Sequence, residues 1–463
     1  MGSTRRGRRQ SASPRIAKLK WLAGGAFIVV AAYGAAQAGF LGETAKLGLT
    51  KARLAQAMAD PARFFTLPET MELPIELAPA SHTSRGAEFT ARLQYAFDPG
   101  LQKEMEGLFQ SYRPDYGAFV AMDAVTGRVL SMVSFSQDGR QENLALRATF
   151  PSASVFKVVT AAAAIEVNRF SADTVIPFNG RNHTLYRSNV MSVKQTRWTR
   201  YITLKDAFAQ SVNTVFGRIG AFTVGPEELR QYASRFGFNR VIAADVPMQP
   251  GKATIPDDSF GVAESASGFT RDNTMSPMQG ALIASAIAND GAMMEPFIVE
   301  SVLSPDGTPI YQAQPMMINT VVDPATAAEI RKLMSLTVKR GTAAGSFRRF
   351  FRNELADLEV GGKTGSLTGT DPKGRYDWFV GFASNGKRRI AVAALTVHEK
   401  LWRVKSSWLA RRAFEKVFAD PEKRPSRKGR RSKERGLATG PAMPPLVLAP
   451  EFLGPALIAH QQR

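Results

Sequence analysis

Two serines, two lysines and an asparagine stand in this chain at spacings that could activate an alcohol without any histidine. Ser154 and Lys157 lie three apart in Ser154-Val155-Phe156-Lys157, Ser211 and Asn213 flank Val212, and Lys363 opens Lys363-Thr364-Gly365-Ser366. A serine hydroxyl is a weak nucleophile until a neighbouring base takes its proton, and an amine serves if its surroundings keep it neutral. Residues three apart on a helix share a face, so Ser154 and Lys157 are expected to point into one cleft. Val158, Val159 and the run from Thr160 to Ile165 are apolar almost all round, the pattern of a buried helix. Burial lowers a lysine's pKa and a nearby cation such as Lys363 lowers it further, so the base is expected to be neutral near pH 7.

Taken singly, each motif has a plain structural reading. A second Ser-x-x-Lys occurs at Ser384-Asn385-Gly386-Lys387, but there Asn-Gly separates two apolar runs, which is hairpin-turn chemistry. Ser211-Val212-Asn213 alone could be a polar loop or helix start, and Lys363-Thr364-Gly365 a strand end with a turn glycine. Their joint order carries the argument. The apolar runs Asp377 to Ala383 and Arg389 to Val397, joined at Asn385-Gly386, read as antiparallel strands beside the Lys-Thr-Gly strand.

With these motifs the chain resembles the serine penicillin-binding proteins of the monofunctional transpeptidase type and their β-lactamase relatives, whose three signatures are S-x-x-K, S-x-N and K-[TS]-G. The similarity runs from about Ala87 to Phe418. It includes an opening hairpin at Ala118–Val133, Met275-Ser276-Pro277-Met278-Gln279 with Ala286 to Gly291, and Gly341-Thr342-Ala343. The resemblance implies that Ser154 is the acylated serine, Lys157 its proton acceptor, Ser211 a proton relay to the leaving amine, and Asn213 an amide holding Lys157 and the substrate. It assigns Lys363 to catalysis as well, and Thr364, Gly365 and Ser366 to substrate binding. A terminal D-alanine carboxylate would be held by a cation and hydroxyl donors, because charge-assisted hydrogen bonds anchor most strongly. The backbone N–H groups of Ser154 and Ser366 would form the oxyanion hole. The implied fold is α+β: an antiparallel sheet of about five strands flanked by helices, plus an all-helical lobe carrying Ser154, with Ser211 on a lobe loop.

Cysteine is absent and the four histidines, His82, His183, His398 and His460, lack metal-ligand spacing, so no metal or cofactor is expected and the histidines are given surface or packing roles. Residues 1–20 carry seven Arg or Lys and no acid, and residues 21–41 are apolar over a length that spans a bilayer core. They are read as an uncleaved transmembrane helix with its basic flank in the cytoplasm. The small-x-small triplet Ala36-Gln37-Ala38 supports the other reading, a cleaved signal peptide. Either way the domain is exported, to the outer face of the inner (plasma) membrane. Export removes nucleic acid as the partner of a chain with net charge +20. Residues 42–86 read as a juxtamembrane linker, helical over Glu43–Ala59 and then a proline-containing extended spacer over Pro61–Pro79. Residues 87–419 form the penicillin-binding domain, and 420–463 a basic, Pro-rich tail of disordered composition. No glycan-polymerising domain and no large pedestal domain is recognisable upstream.

The reaction implied is D,D-transpeptidation of peptidoglycan stem peptides ending in D-Ala-D-Ala, with β-lactams as covalent inhibitors. Hydrolysis by the same serine would make a D,D-carboxypeptidase. A β-lactamase would need a water-activating base that the chain does not display. An inactive cell-wall scaffold is the non-enzyme alternative, and no protein partner is assigned.

Overall fold

The computed structural model describes residues 51–57, 70–77, 87–139, 142–192, 194–352 and 355–419. The expected basic segment, membrane span and C-terminal tail lie outside these residues. Among the described residues, no helix is long and apolar enough to cross a membrane.

Strand periodicity organises the main body. Tyr116–Asp123 (β3), Val129–Ser136 (β4), Glu359–Thr370 (β7), Lys373–Ser384 (β8) and Arg389–His398 (β9) form an antiparallel sheet in the order β7-β8-β9-β3-β4. The expected Asn385-Gly386 turn joins β8 to β9. Gly386 sits at φ 84°, and Asn385 Oδ1 accepts from the Lys387 and Arg388 N–H groups. The second Ser-x-x-Lys is therefore a hairpin loop. Both faces of the central strands are covered, which explains why their sequences are apolar without alternation. Val380, Phe382, Ala393 and Leu395 face a core shared with Pro277–Ala288 (α6), a helix buried at every residue. Phe379, Val392 and Ala394 face the opposite core, closed by Pro99–Tyr112 (α1) and Ser406–Phe418 (α8). Leu101, Met105, Leu108 and Phe109 recur at helical spacing along α1.

A second, four-stranded sheet contains Thr70–Leu77 (β1), Ala87–Tyr95 (β2), Val299–Leu303 (β5) and Pro309–Gln312 (β6), in the order β1-β2-β5-β6. This corrects part of the linker reading: residues 70–77 are not a free spacer but an antiparallel partner of β2, with Thr70 opposite Gln94 and Leu77 opposite Ala87. The signal was in the sequence, since Met71, Leu73, Ile75 and Leu77 alternate with Glu72, Pro74 and Glu76. Pro74 distracted from it, because proline is tolerated only on edge strands, and β1 is an edge.

The helical lobe holds Lys157–Glu166 (α2), Leu204–Ala209 (α3), Asn213–Ile219 (α4) and Ser259–Ser267 (α5). Pro324–Lys339 (α7), capped by the Asp323 carboxylate on Thr326 N at 2.6 Å, packs against both β7 and α3. It ties lobe to sheet beside the three motifs.

Candidate active site

Ser154 lies in a 3₁₀ turn, Ala153–Phe156, and Lys157 begins α2 immediately after it. The shared face expected of a helix is thus achieved one turn early. Lys157 to Ile165 are all buried, so the lysine enters the core with its helix. Several contacts aim the turn. Pro151 O accepts from Trp378 Nε1 at 2.9 Å, and Ser152 N donates to Asn273 O at 2.7 Å. Ala153 takes a left-handed conformation, φ 47°, which a side chain disfavours by about 1–2 kcal/mol. Gly268 makes room for it: a Cβ there would stand 1.9 Å from Ala153 O and 3.0 Å from Ser154 N.

Lys157 Nζ is 2.8 Å from Ser154 Oγ, 2.8 Å from Asn213 Oδ1 and 2.5 Å from Ser267 O. The two carbonyl oxygens can accept only N–H bonds. A neutral amine has two N–H bonds and one lone pair, so these acceptors leave the lone pair directed at the serine hydroxyl. Full burial, then the charge of Lys363, holds Lys157 well below the ordinary lysine range. Asn213 is fixed in turn, its Nδ2 donating to His183 O at 2.9 Å and its N to Asn182 O at 2.7 Å.

Ser211 occupies the bend before α4 at φ 57°, a second left-handed residue with a side chain. Lys363 Nζ donates to Ser211 Oγ at 2.9 Å and to Thr364 O at 2.9 Å. Burial pushes Lys363 down to about 7. Phe208, whose ring centre is 5.5 Å from Lys363 Nζ, and Phe216, 5.8 Å from Lys157 Nζ, supply part of that apolar surround.

The period of two in β7 sorts the last motif. Lys363 and Gly365 point towards the lobe, where a Cβ on Gly365 would be 3.3 Å from Ala153 Cβ and from Val155 Cγ2. Thr364 and Ser366 alternate with them on the more exposed side of the strand. Thr364 Oγ1 is 2.5 Å from Thr342 Oγ1, and Arg375 Nε donates to Ser366 Oγ at 3.1 Å. The structure therefore brings together the lysine and hydroxyl groups of all three motifs along the β7 edge. No group of three or more His, Cys, Asp or Glu residues suited to a metal occurs among the described residues.

Ala153, Ser267 and Gly268 were not singled out in the sequence, and Thr342 and Trp378 entered only as members of longer stretches. His183, assigned only a surface or packing role, borders the site. Partial burial, then Lys157 and Lys363, lowers its pKa, while a bond to the Ser211 backbone opposes them.

Residues 117–419, well over half of the 463, match the family described as the penicillin binding protein transpeptidase domain. The peptidoglycan D,D-transpeptidase PbpA of Mycolicibacterium smegmatis is 29% identical over 321 residues, covering 61% of this chain and 62% of its own. The chain thus spans less than two thirds of that relative. Among solved structures, PBPA from Mycobacterium tuberculosis matches with a TM-score of 0.60 at 23% identity, over 71% of this chain and 82% of that one. Its penicillin G acyl-enzyme complex matches with a TM-score of 0.55 at 24% identity, over 72% and 82%. The chain belongs to the penicillin-binding protein transpeptidase family.

Proposed function

We propose that the protein is a D,D-transpeptidase that crosslinks peptidoglycan stem peptides through an ester on Ser154. The observation that carries this reading is the 2.8 Å approach of a buried amine, Lys157 Nζ, to Ser154 Oγ, with Asn213 Oδ1 and Ser267 O as its two other partners. In the proposed first step the Ser154 oxygen bonds to the penultimate D-alanine carbonyl carbon while its proton passes to Lys157. The C–N bond to the terminal D-alanine then breaks, and the proton taken up by Lys157 passes to the leaving amine by way of the Ser211 hydroxyl, which Lys363 orients. In the second step an amine of a neighbouring stem peptide attacks the ester, the new amide forms and Ser154 is released with its proton.

The N–H groups of Ser154 and Ser366 would stabilise the oxyanion of each tetrahedral intermediate. Cationic Lys363 with the hydroxyls of Thr364 and Ser366 would hold the donor carboxylate, and Gly365 lets the strand lie close to the serine turn. A β-lactam would acylate the same serine. The name of the Mycolicibacterium relative and the acyl-enzyme complex of the Mycobacterium protein support the assignment. Residues 21–41 would anchor the domain on the outer face of the inner membrane, and recovery of the intact chain in the membrane fraction tests this.

A labelled penicillin tests the chemistry. Covalent labelling of the folded protein is expected, and none in Ser154→Ala; labelling that persists in the variant would overturn the assignment of the nucleophile. With a pentapeptide donor and an amine acceptor, a crosslinked adduct is expected, and released D-alanine without adduct would identify a carboxypeptidase.

A further inference from the structure

Between Val175–Phe178 and Arg200–Thr203, two short strands that pair antiparallel, the chain makes a long excursion. It is bonded to the site itself through Asn182 O and His183 O, which accept from Asn213. Arg218 on α4 ties it down again, donating to Val190 O at 2.8 Å and Ser192 O at 2.6 Å.

Its composition is one-sided. Residues 179–201 contain Arg181, Arg187, Lys194, Arg197 and Arg200 and no acid, and all five cations are exposed. A surface without a partner ordinarily mixes both signs. Three large rings also face solvent: Trp198 is 73% exposed, Tyr201 61% and Tyr186 48%. Tryptophan is usually largely buried, so a ring this exposed calls for something to cover it. Arg197 lies over the Trp198 ring at 4.9 Å, setting a cation and a flat apolar face side by side.

We propose that this excursion is a docking strip for an acidic, uncrosslinked peptidoglycan strand, gripping the polymer while one of its stem peptides lies against Asn213. The inference rests on the transpeptidase reading and adds the recognition of polymer to it. The cations meet the free carboxylates of the stem peptides, and the exposed rings take the flat faces of the sugars. The excursion's own bonds to Asn213 select the substrate as the occupant, because strip and site are joined through the same backbone segment.

The test measures binding of soluble uncrosslinked peptidoglycan chains to the full-length protein carrying Ser154→Ala, with and without the combined substitutions Lys194→Ala, Arg197→Ala and Trp198→Ala. The triple change is expected to raise Kd at least ~10-fold, the scale of a lost aromatic anchor, and to flatten the salt dependence. In the chain that retains Ser154 it should leave penicillin labelling within about twofold, since a small β-lactam needs no strip. Unchanged Kd would overturn the inference. So would equal binding of chains whose carboxylates have been amidated, an equal loss on anionic lipid vesicles, or a parallel loss of penicillin labelling, which would make the strip a structural prop. Absence of labelling in the unaltered protein would instead sink the transpeptidase reading, and the strand-binding measurement would still stand on its own.

Discussion

Two amines share one small volume, and the proposed mechanism needs them in opposite charge states: Lys157 would act as a base only when neutral, and Lys363 would hold a carboxylate only when protonated. Lys157 meets its requirement through burial and repulsion, so replacing it should remove the base without collapsing the helix. Lys157→Ala is expected to remain folded by circular dichroism while penicillin acylation falls at least ~10²-fold, the usual worth of a general base; a near-normal rate would remove Lys157 from that role. Lys363 titrates near 7. Its cation is therefore present below that pH and lost above it, so the KM for a carboxylate-bearing donor should rise as pH climbs past about 7. A donor whose carboxylate is replaced by a neutral amide should show no such rise. The residue types and order were legible in the sequence, down to Asn213 as the group that holds Lys157. What was not legible is how two carbonyls, Asn213 Oδ1 and Ser267 O, orient the amine, because Ser267 lies 110 positions from Lys157 and carries no motif.

The elements show the same division between local pattern and distant contact. The β8–β9 hairpin, α2 and the apolar spacing of α1 could be read from turn chemistry and periodicity, which are local. The aim of the serine turn could not, since it depends on Trp378 reaching Pro151 across 227 positions. Trp378→Phe removes the indole N–H with part of the ring volume and strands a buried carbonyl, which alone costs about 1–3 kcal/mol. Denaturant unfolding should register that loss and acylation should slow; unchanged values of both would show that the turn is held by its other contacts. The strand β1 was missed for a different reason, as its alternation was plain but its proline argued for a spacer.

At the scale of the molecule, one carboxylate fastens the helical lobe's loops to the four-stranded sheet. Asp245 Oδ2 accepts from Ile298 N at 2.7 Å and Val299 N at 2.6 Å, at the start of β5. Burial raises its pKa to about 6 despite those bonds. Between about pH 4 and pH 6 the folded chain therefore keeps a proton that the unfolded chain releases, and stability falls as pH rises through that window. Asp377, also pushed up to about 6 by burial, acts in the same direction. Asp245→Asn should flatten the fall in melting temperature across this interval, and a slope equal to that of the unaltered protein would rule Asp245 out as a contributor. No single stretch of sequence announces such a tie, because its acceptor and donors sit about 53 positions apart. The left-handed backbone at Ala153 and Ser211 has a consequence of its own. Each segment is held by a contact from a distant part of the chain, so the proposed nucleophile and relay come into register only while the whole domain is assembled. A partly unfolded chain, or one still crossing a membrane, would carry every motif intact and yet be chemically silent.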